Sequence, residues 1–276
     1  MDFVEIDILC DKGLKDILTA ELCERGYESF LDTPNGFRAY QPVKNHDPGI
    51  VAELLGRYSL DSNFMSRKLI DKNWNEVWER TFEAIEIDDR CRIRASFHEA
   101  SGKFDYEVII DPKMAFGTGH HETTRQVLRF LLEMQLESKT VLDVGCGTGI
   151  LSILAEMMGA SKVEAIDTDP YAVNNTVENM VLNNCKRITV REGSIETFRG
   201  NMLFDLLVAN INRNVLLQEI GRYSEFLSET GRLILSGFYT YDSDVIVRTC
   251  KAHRLQVIEE TQENNWACLL LEKYHA

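Results

Sequence analysis

The residues of this chain best placed to do chemistry are Asp143-Val-Gly-Cys-Gly-Thr-Gly149, where a short apolar run ends in three alternate glycines. Val141, Leu142 and Val144 are strand formers. Gly145, Gly147 and Gly149 let the backbone take positive φ and come close to a ligand that any Cβ would displace. From Ile150 an apolar run reads as a helix, and Gly159 closes it. A glycine turn between a strand and a helix, at the carboxyl edge of an α/β sheet, is a nucleotide-binding place. A second apolar strand, 162–166, ends in Asp167, placed to accept hydrogen bonds from ribose hydroxyls. The two features together specify an adenosine ligand. A dinucleotide fits less well, because its fingerprint G-x-G-x-x-G needs a glycine where this chain has Ile150.

D-x-G-x-G-x-G followed by a strand-ending acid resembles the S-adenosylmethionine (AdoMet) site of class I methyltransferases. In those enzymes the glycine turn holds the methionine end of the cofactor. A nicotinamide oxidoreductase is the competing reading. Upstream, Asp111-Pro-Lys-Met-Ala-Phe-Gly-Thr-Gly-His-His-Glu-Thr-Thr124 is too rich in glycine for regular structure. Thr123-x-x-Gln126 reads as a capping box for the helix that follows. The N-terminus of that helix suits the cofactor's carboxylate. His120, His121 and Glu122 are adjacent and lack a spaced partner cluster, so no metal is expected. Downstream, the apolar strand 203–209 delivers Asn210 to the sheet edge.

The elements that must hold these residues follow from periodicity. Residues 1–71 read as strand 3–10, helix 12–26, strands 27–31 and 36–40 around Asp-Thr-Pro-Asn-Gly, a helix opened by Asp47-Pro48, and strand 63–70. This β-α-β-β-α-β order predicts a small ferredoxin-like α+β domain. Residues 72–86, with Trp74, Trp78 and Phe82 at helical spacing, read as a helical linker. From 87 to 276 strands alternate with helices, which predicts a Rossmann-like, seven-stranded, mostly parallel sheet with helices on both faces. In the helix after Asp169-Pro170, the positions Val173, Val177, Met180 and Val181 are expected inward. The last two strands, 255–261 and 266–272, are joined by Gln-Glu-Asn-Asn and must be antiparallel.

Composition narrows the partners. The formal net charge is −14 over 276 residues, which disfavours binding to a nucleic-acid backbone and favours a basic partner. Seven cysteines without a C-x-x-C pair read as free thiols in a reducing cytoplasm. The acidic N-terminus is no signal peptide, and no apolar run is long enough for a membrane span.

With Asp111 to Thr124, Asp143 to Gly149, Asp167 and Ala-Asn210-Ile in this order behind a small α+β domain, the sequence resembles the ribosomal protein L-eleven (L11) methyltransferases. The segment D-P-x-x-A-F-G-T-G-x-H-x-T-T carries most of the likeness, and Asn73-Trp74-x-x-x-Trp78 is similar to the family's linker. The resemblance implies AdoMet-dependent N-methylation of lysine and N-terminal amines of one large-subunit ribosomal protein, which the N-terminal domain would recognise. It implies a cofactor site of Thr124, Gly145, Gly147, Gly149, Asp167 and Asn210, with Asn210 also orienting the amine. Another protein, an RNA or a small-molecule amine is the alternative substrate. The chain departs from the family at His120, Glu122 and Asn212, of which the first two are expected beside the cofactor's carboxylate. Asn210-Ile-Asn-Arg also lacks the aromatic that follows Asn-Pro-Pro in enzymes methylating planar nitrogens, which favours an aliphatic amine.

Overall fold

The computed structural model describes residues 3–27, 29–60, 64–69, 83–111, 116–200 and 202–274. The chain divides into two compact units, Met1–Thr81 and Phe82–Ala276.

In the first unit, strands β1 (Phe3–Leu9), β2 (Ser29–Thr33), β3 (Gly36–Pro42) and β4 (Phe64–Leu69) form one sheet in the order β2-β3-β1-β4. All its neighbours are antiparallel, the ferredoxin-like arrangement. Helices α1 (Lys12–Glu24) and α2 (Pro48–Gly56) supply Leu18, Leu22, Val51, Leu54 and Leu55 to a core with Ile6, Ile8 and Phe37. Helix α2 starts where it does because Pro48 needs no N–H partner and the Asp47 carboxylate accepts the Gly49 N–H at 2.8 Å.

The second unit opens with a three-stranded sheet, β5 (Ile85–Ile87), β6 (Cys91–Arg94) and β7 (Tyr106–Ile109). Strand β5 corrects the expected helix to residue 86. Ile85 and Ile87 pair with Ile93 and Cys91, and that alternation buries Ile87 fully. The rest of the linker reading, with Trp74, Trp78 and Phe82, falls outside the described residues.

Seven strands form the main sheet. They are β8 (Thr140–Val144), β9 (Lys162–Asp167), β10 (Ile188–Glu192), β11 (Phe204–Asn210), β12 (Leu227–Tyr239), β13 (Leu255–Glu263) and β14 (Trp266–Lys273). Their order is β10-β9-β8-β11-β12-β14-β13; the first five are parallel and β14 is antiparallel to both its neighbours. The hairpin joining β13 to β14 is tighter than expected, with only residues 264 and 265 between the strands and Asn264 at φ 53°. Helices α3 (Glu122–Leu132), α4 (Ile150–Met157), α5 (Pro170–Leu182), α6 (Arg213–Phe226) and α7 (Ser243–Ala252) cover the sheet. Two apolar clusters lie on its faces, one with α3 and α4, the other with α6 and α7.

Two expectations fail here for physical reasons. In α5, Val177 and Val181 lie outside, 45% and 72% exposed, while Ala172, Asn175, Thr176 and Asn179 are buried. The inward face is polar because it binds backbone. Asn183 pairs with both the N–H (2.8 Å) and the C=O (2.6 Å) of Ile109. Asn179 accepts the Asp111 N–H at 3.0 Å and Asn175 donates to the Asp111 C=O at 3.0 Å. This amide ladder stands in for a strand beside the chain leaving β7 and pairs the backbone groups of Ile109 and Asp111. The second failure is the capping box. Helix α3 starts one residue before Thr123 and is capped by His121, whose Nδ1 accepts the Thr123 N–H at 3.3 Å.

Candidate functional site

Strand β8 runs directly into the glycine turn, and the turn is held from three sides. The Gly145 and Cys146 N–H groups donate to Ile166 C=O at 2.8 and 3.1 Å. Thr148 N–H donates to Phe116 C=O at 2.9 Å, and the Thr148 hydroxyl to Gly117 C=O. From α5, Thr176 Oγ1 donates to Gly147 C=O at 2.9 Å and Asn179 Nδ2 to Thr148 C=O at 2.8 Å. At Gly147, φ is +56° and a Cβ would stand 2.2 Å from Phe116 O, so only glycine fits.

A cleft of about 570 Å³ lies over this turn at the carboxyl edge of the sheet. Gly145, Gly147, Asp167 and Asn210 line it. Asp167 ends β9, its Oδ2 accepting the Gly147 N–H at 2.9 Å and its Oδ1 the Asp169 N–H at 3.0 Å. Each carboxylate oxygen keeps a second lone pair for a ligand hydroxyl. Asn210 ends β11 in the same row. Its Nδ2 donates to Thr124 Oγ1 at 3.3 Å, while its buried Oδ1 has no partner among the described residues.

The remaining expected site residues stand behind the wall. Thr124 is fully buried and reaches the cleft through Asn210. Gly149 is the residue before α4, where a Cβ would meet Thr176 Cγ2 at 2.7 Å; its role is close packing of α4 on α5. His120 and Glu122 do not line the cleft, contrary to their expected place beside the cofactor's carboxylate. Glu122 turns outward, and its own backbone N–H, together with the Asn264 amide that it accepts at 2.7 Å, holds its carboxyl below the usual range. Asn212 does line the cleft and caps α6, accepting the Val215 N–H at 3.2 Å.

Asp143 supports the turn from beneath. It is 1% exposed; burial raises its pKa to about 6, against a 2.6 Å hydrogen bond from Ser152 that lowers it.

Sequence reasoning missed an aromatic wall. Phe116 and His121 approach at 5.3 Å between ring centroids, His121 meets Trp266 edge-on at 4.8 Å, and Trp266 stacks on Tyr239 at 4.1 Å. Trp266 comes from β14, far along the chain. The one local signal was His121 itself, a polar residue just ahead of an amphipathic run.

The lining charges decide which ligand fits. Asp167, Asp169 and Glu219 face the cleft, and none of its described lining residues is Lys or Arg. A dianionic pyrophosphate would be repelled, whereas the sulfonium and ammonium of AdoMet suit such a wall. The glycine turn, the Asp167 carboxylate and the unpaired Asn210 Oδ1 therefore fit AdoMet. Among the described residues no group of three or more His, Cys, Asp or Glu side chains could hold a metal ion.

Comparison with known proteins agrees. The family model for ribosomal protein L11 methyltransferase (PrmA) matches residues 25–274. A ribosomal protein L11 methyltransferase of Porphyromonas gingivalis is 44% identical over 258 residues, 92% of this chain and 89% of its own. One from Phocaeicola vulgatus is 39% identical over 264 residues, 94% of each chain. A crystal structure of a ribosomal protein L11 methylase from Lactobacillus delbrueckii subsp. bulgaricus superposes with a TM-score of 0.64 at 27% identity, covering 70% of this chain and all of the other. A match that spans both units, with relatives of 39–44% identity over most of the chain, shows that this chain belongs to the ribosomal protein L11 methyltransferase family of AdoMet-dependent enzymes.

Proposed function

We propose that the protein methylates lysine ε-amino groups and the N-terminal α-amino group of ribosomal protein L11 in the cytoplasm. The observation that carries this reading is Asn210. Its Nδ2 is held by Thr124, so the buried, unpaired Oδ1 is fixed as an acceptor at the cleft. An amine N–H would satisfy it.

Bound AdoMet supplies a methyl group made electrophilic by the adjacent sulfonium. The chain's own residues bind and aim. Gly145 and Gly147 admit the methionine end, Asp167 takes the ribose hydroxyls, and Asn210 accepts one N–H of the incoming amine so that its lone pair points along the line of displacement. A free lysine amine has a pKa near ~10.4. It must lose a proton to solvent before attack, and desolvation favours that neutral form. Transfer would form the new N–C bond as the C–S bond breaks, with S-adenosylhomocysteine leaving and the methylated ammonium free to return its proton to solvent. Alignment at ~3 Å accounts for the catalysis without a dedicated general base.

The unit Met1–Thr81 would read the protein substrate, as the family resemblance implies, while all the cleft residues lie in the other unit. The seven cysteines are all free thiols, which suits a reducing compartment. Among the described residues no helix is long and apolar enough to cross a membrane.

The test is intact-mass analysis of L11 after incubation with the enzyme and AdoMet. Mass should rise in steps of one methyl. Asn210→Ala should lower kcat more than it weakens AdoMet binding. Unmodified L11 alongside methylation of another amine would overturn the substrate assignment.

A further inference from the structure

The mechanism leaves one buried acid of the cleft unused. Glu219, on the second turn of α6, is 7% exposed and faces the cleft on the same side of the helix as Val215. Its Oε2 accepts the hydroxyl of the fully buried Tyr223 at 2.6 Å, which fixes the carboxyl plane. No donor among the described residues is recorded at Oε1.

The sheet order says which part of the ligand reaches this acid. Along the carboxyl edge, β8 presents the glycine turn, β9 presents Asp167, and β10 leads into Gly193-Ser194. A nucleoside with its ribose on Asp167 and its amino-acid end on the glycine turn sends its base towards Gly193-Ser194. Glu219 stands at that end: its neighbours Leu216, Ile220 and Tyr223 share an apolar cluster with Ile195 and Phe198, which directly follow Ser194. The Ser194 N–H is already used by Thr197 Oγ1 at 3.0 Å. A base in this part of the cleft therefore meets a fixed acceptor.

We infer that Glu219 is the residue that selects adenine, its Oε1 accepting an N–H from the exocyclic amino group. The assignment deepens the AdoMet reading and rests on it. The role is recognition of the base, and Tyr223 is its positioning residue. An oxo group in place of the amino group would face the carboxylate oxygen to oxygen, so the site rejects a base of the hypoxanthine type.

Calorimetry on the full chain tests this with S-adenosylhomocysteine and S-inosylhomocysteine, which differ by the exchange of that amino group for an oxo group and by the proton the adjacent ring nitrogen then carries. The wild type should prefer the adenine compound by about 30-fold, the worth of one hydrogen bond to a charged acceptor. Glu219→Gln, whose amide can donate to the oxo group, should reduce the preference to within about threefold. A wild-type ratio near one would overturn the inference whether or not the variant folds. So would a folded Glu219→Gln protein that keeps the wild-type ratio. Failure of S-adenosylhomocysteine itself to bind the wild type would overturn the cofactor reading as well, which separates the two claims.

Discussion

Helices α4 and α5 follow the two strands that carry the glycine turn and Asp167, yet they are built on opposite principles. Helix α4 buries Ile150, Leu151, Ile153, Leu154 and Ala155, and its two buried polar side chains serve single points. Ser152 holds Asp143, and Glu156 accepts the Lys186 and Arg187 N–H groups at 2.7 and 2.9 Å. Helix α5 turns amides inward and leaves valines in solvent. Its amides hold the backbone of both the glycine turn and the segment at Asp111. One helix therefore supplies stability by apolar burial, and the other supplies the shape of the site.

The sharpest way to break this contrast is to truncate one inward residue of each helix. Ile153→Ala, at a fully buried position in α4, should cost about 3 kcal/mol in denaturant unfolding. AdoMet affinity of the folded protein should stay near normal. Asn179→Ala removes the partners of Asp111 N–H and Thr148 C=O, and should cost about 2 kcal/mol. It should also weaken AdoMet by at least about tenfold in calorimetry. Equal binding losses in the two variants would erase the distinction.

Asp143 tests the polar contact of α4 by pH. Its carboxyl, raised by burial to about 6, binds a proton more tightly in the folded chain than in the unfolded one. Its contribution to stability is therefore fully present below the unfolded value near ~3.9 and is lost as pH rises through the folded one, by roughly 3 kcal/mol. Asp143→Asn should remove that fall between about pH 4 and 6 in urea unfolding measured across the range. An unchanged profile would show that Asp143 titrates normally. The smallest expected effect is Val181→Thr on α5, within about 0.5 kcal/mol, because the side chain is 72% exposed. A loss near 2 kcal/mol would mean that the valines carry packing after all.

The domain assignment gives a coarser comparison. A fragment from Phe82 keeps β5 paired with β6, whereas one starting at Ile87 would cut that strand. The Phe82 fragment should bind AdoMet and lose most methylation of intact L11, since docking raises the local concentration of the amines. Full activity in the fragment would remove substrate reading from the first unit.

The alternation of strands and helices, the glycine turn and the acid at Asp167 were legible from residue order alone. Each is local: positive φ with no room for a Cβ demands glycine, a buried strand demands apolar residues, and the acid follows its strand directly. Gly145, Gly147, Asp167 and Asn210 line the cleft. What the folded chain alone decided is which distant side chains complete the wall. Trp266 and Glu219 come from a β-strand and a helix whose sequences carry no sign of a ligand, and they join Phe116 of the glycine-rich segment on the cleft. Periodicity failed on α5 because it reports apolar burial only, and a helix facing unpaired backbone is better served by asparagine. It failed at Thr123 because capping depends on which oxygen or nitrogen reaches the free N–H, and there the imidazole of His121 does. Spacing along a chain records what each segment needs for itself; which segments meet at the sheet edge is set by the order β10-β9-β8-β11-β12-β14-β13.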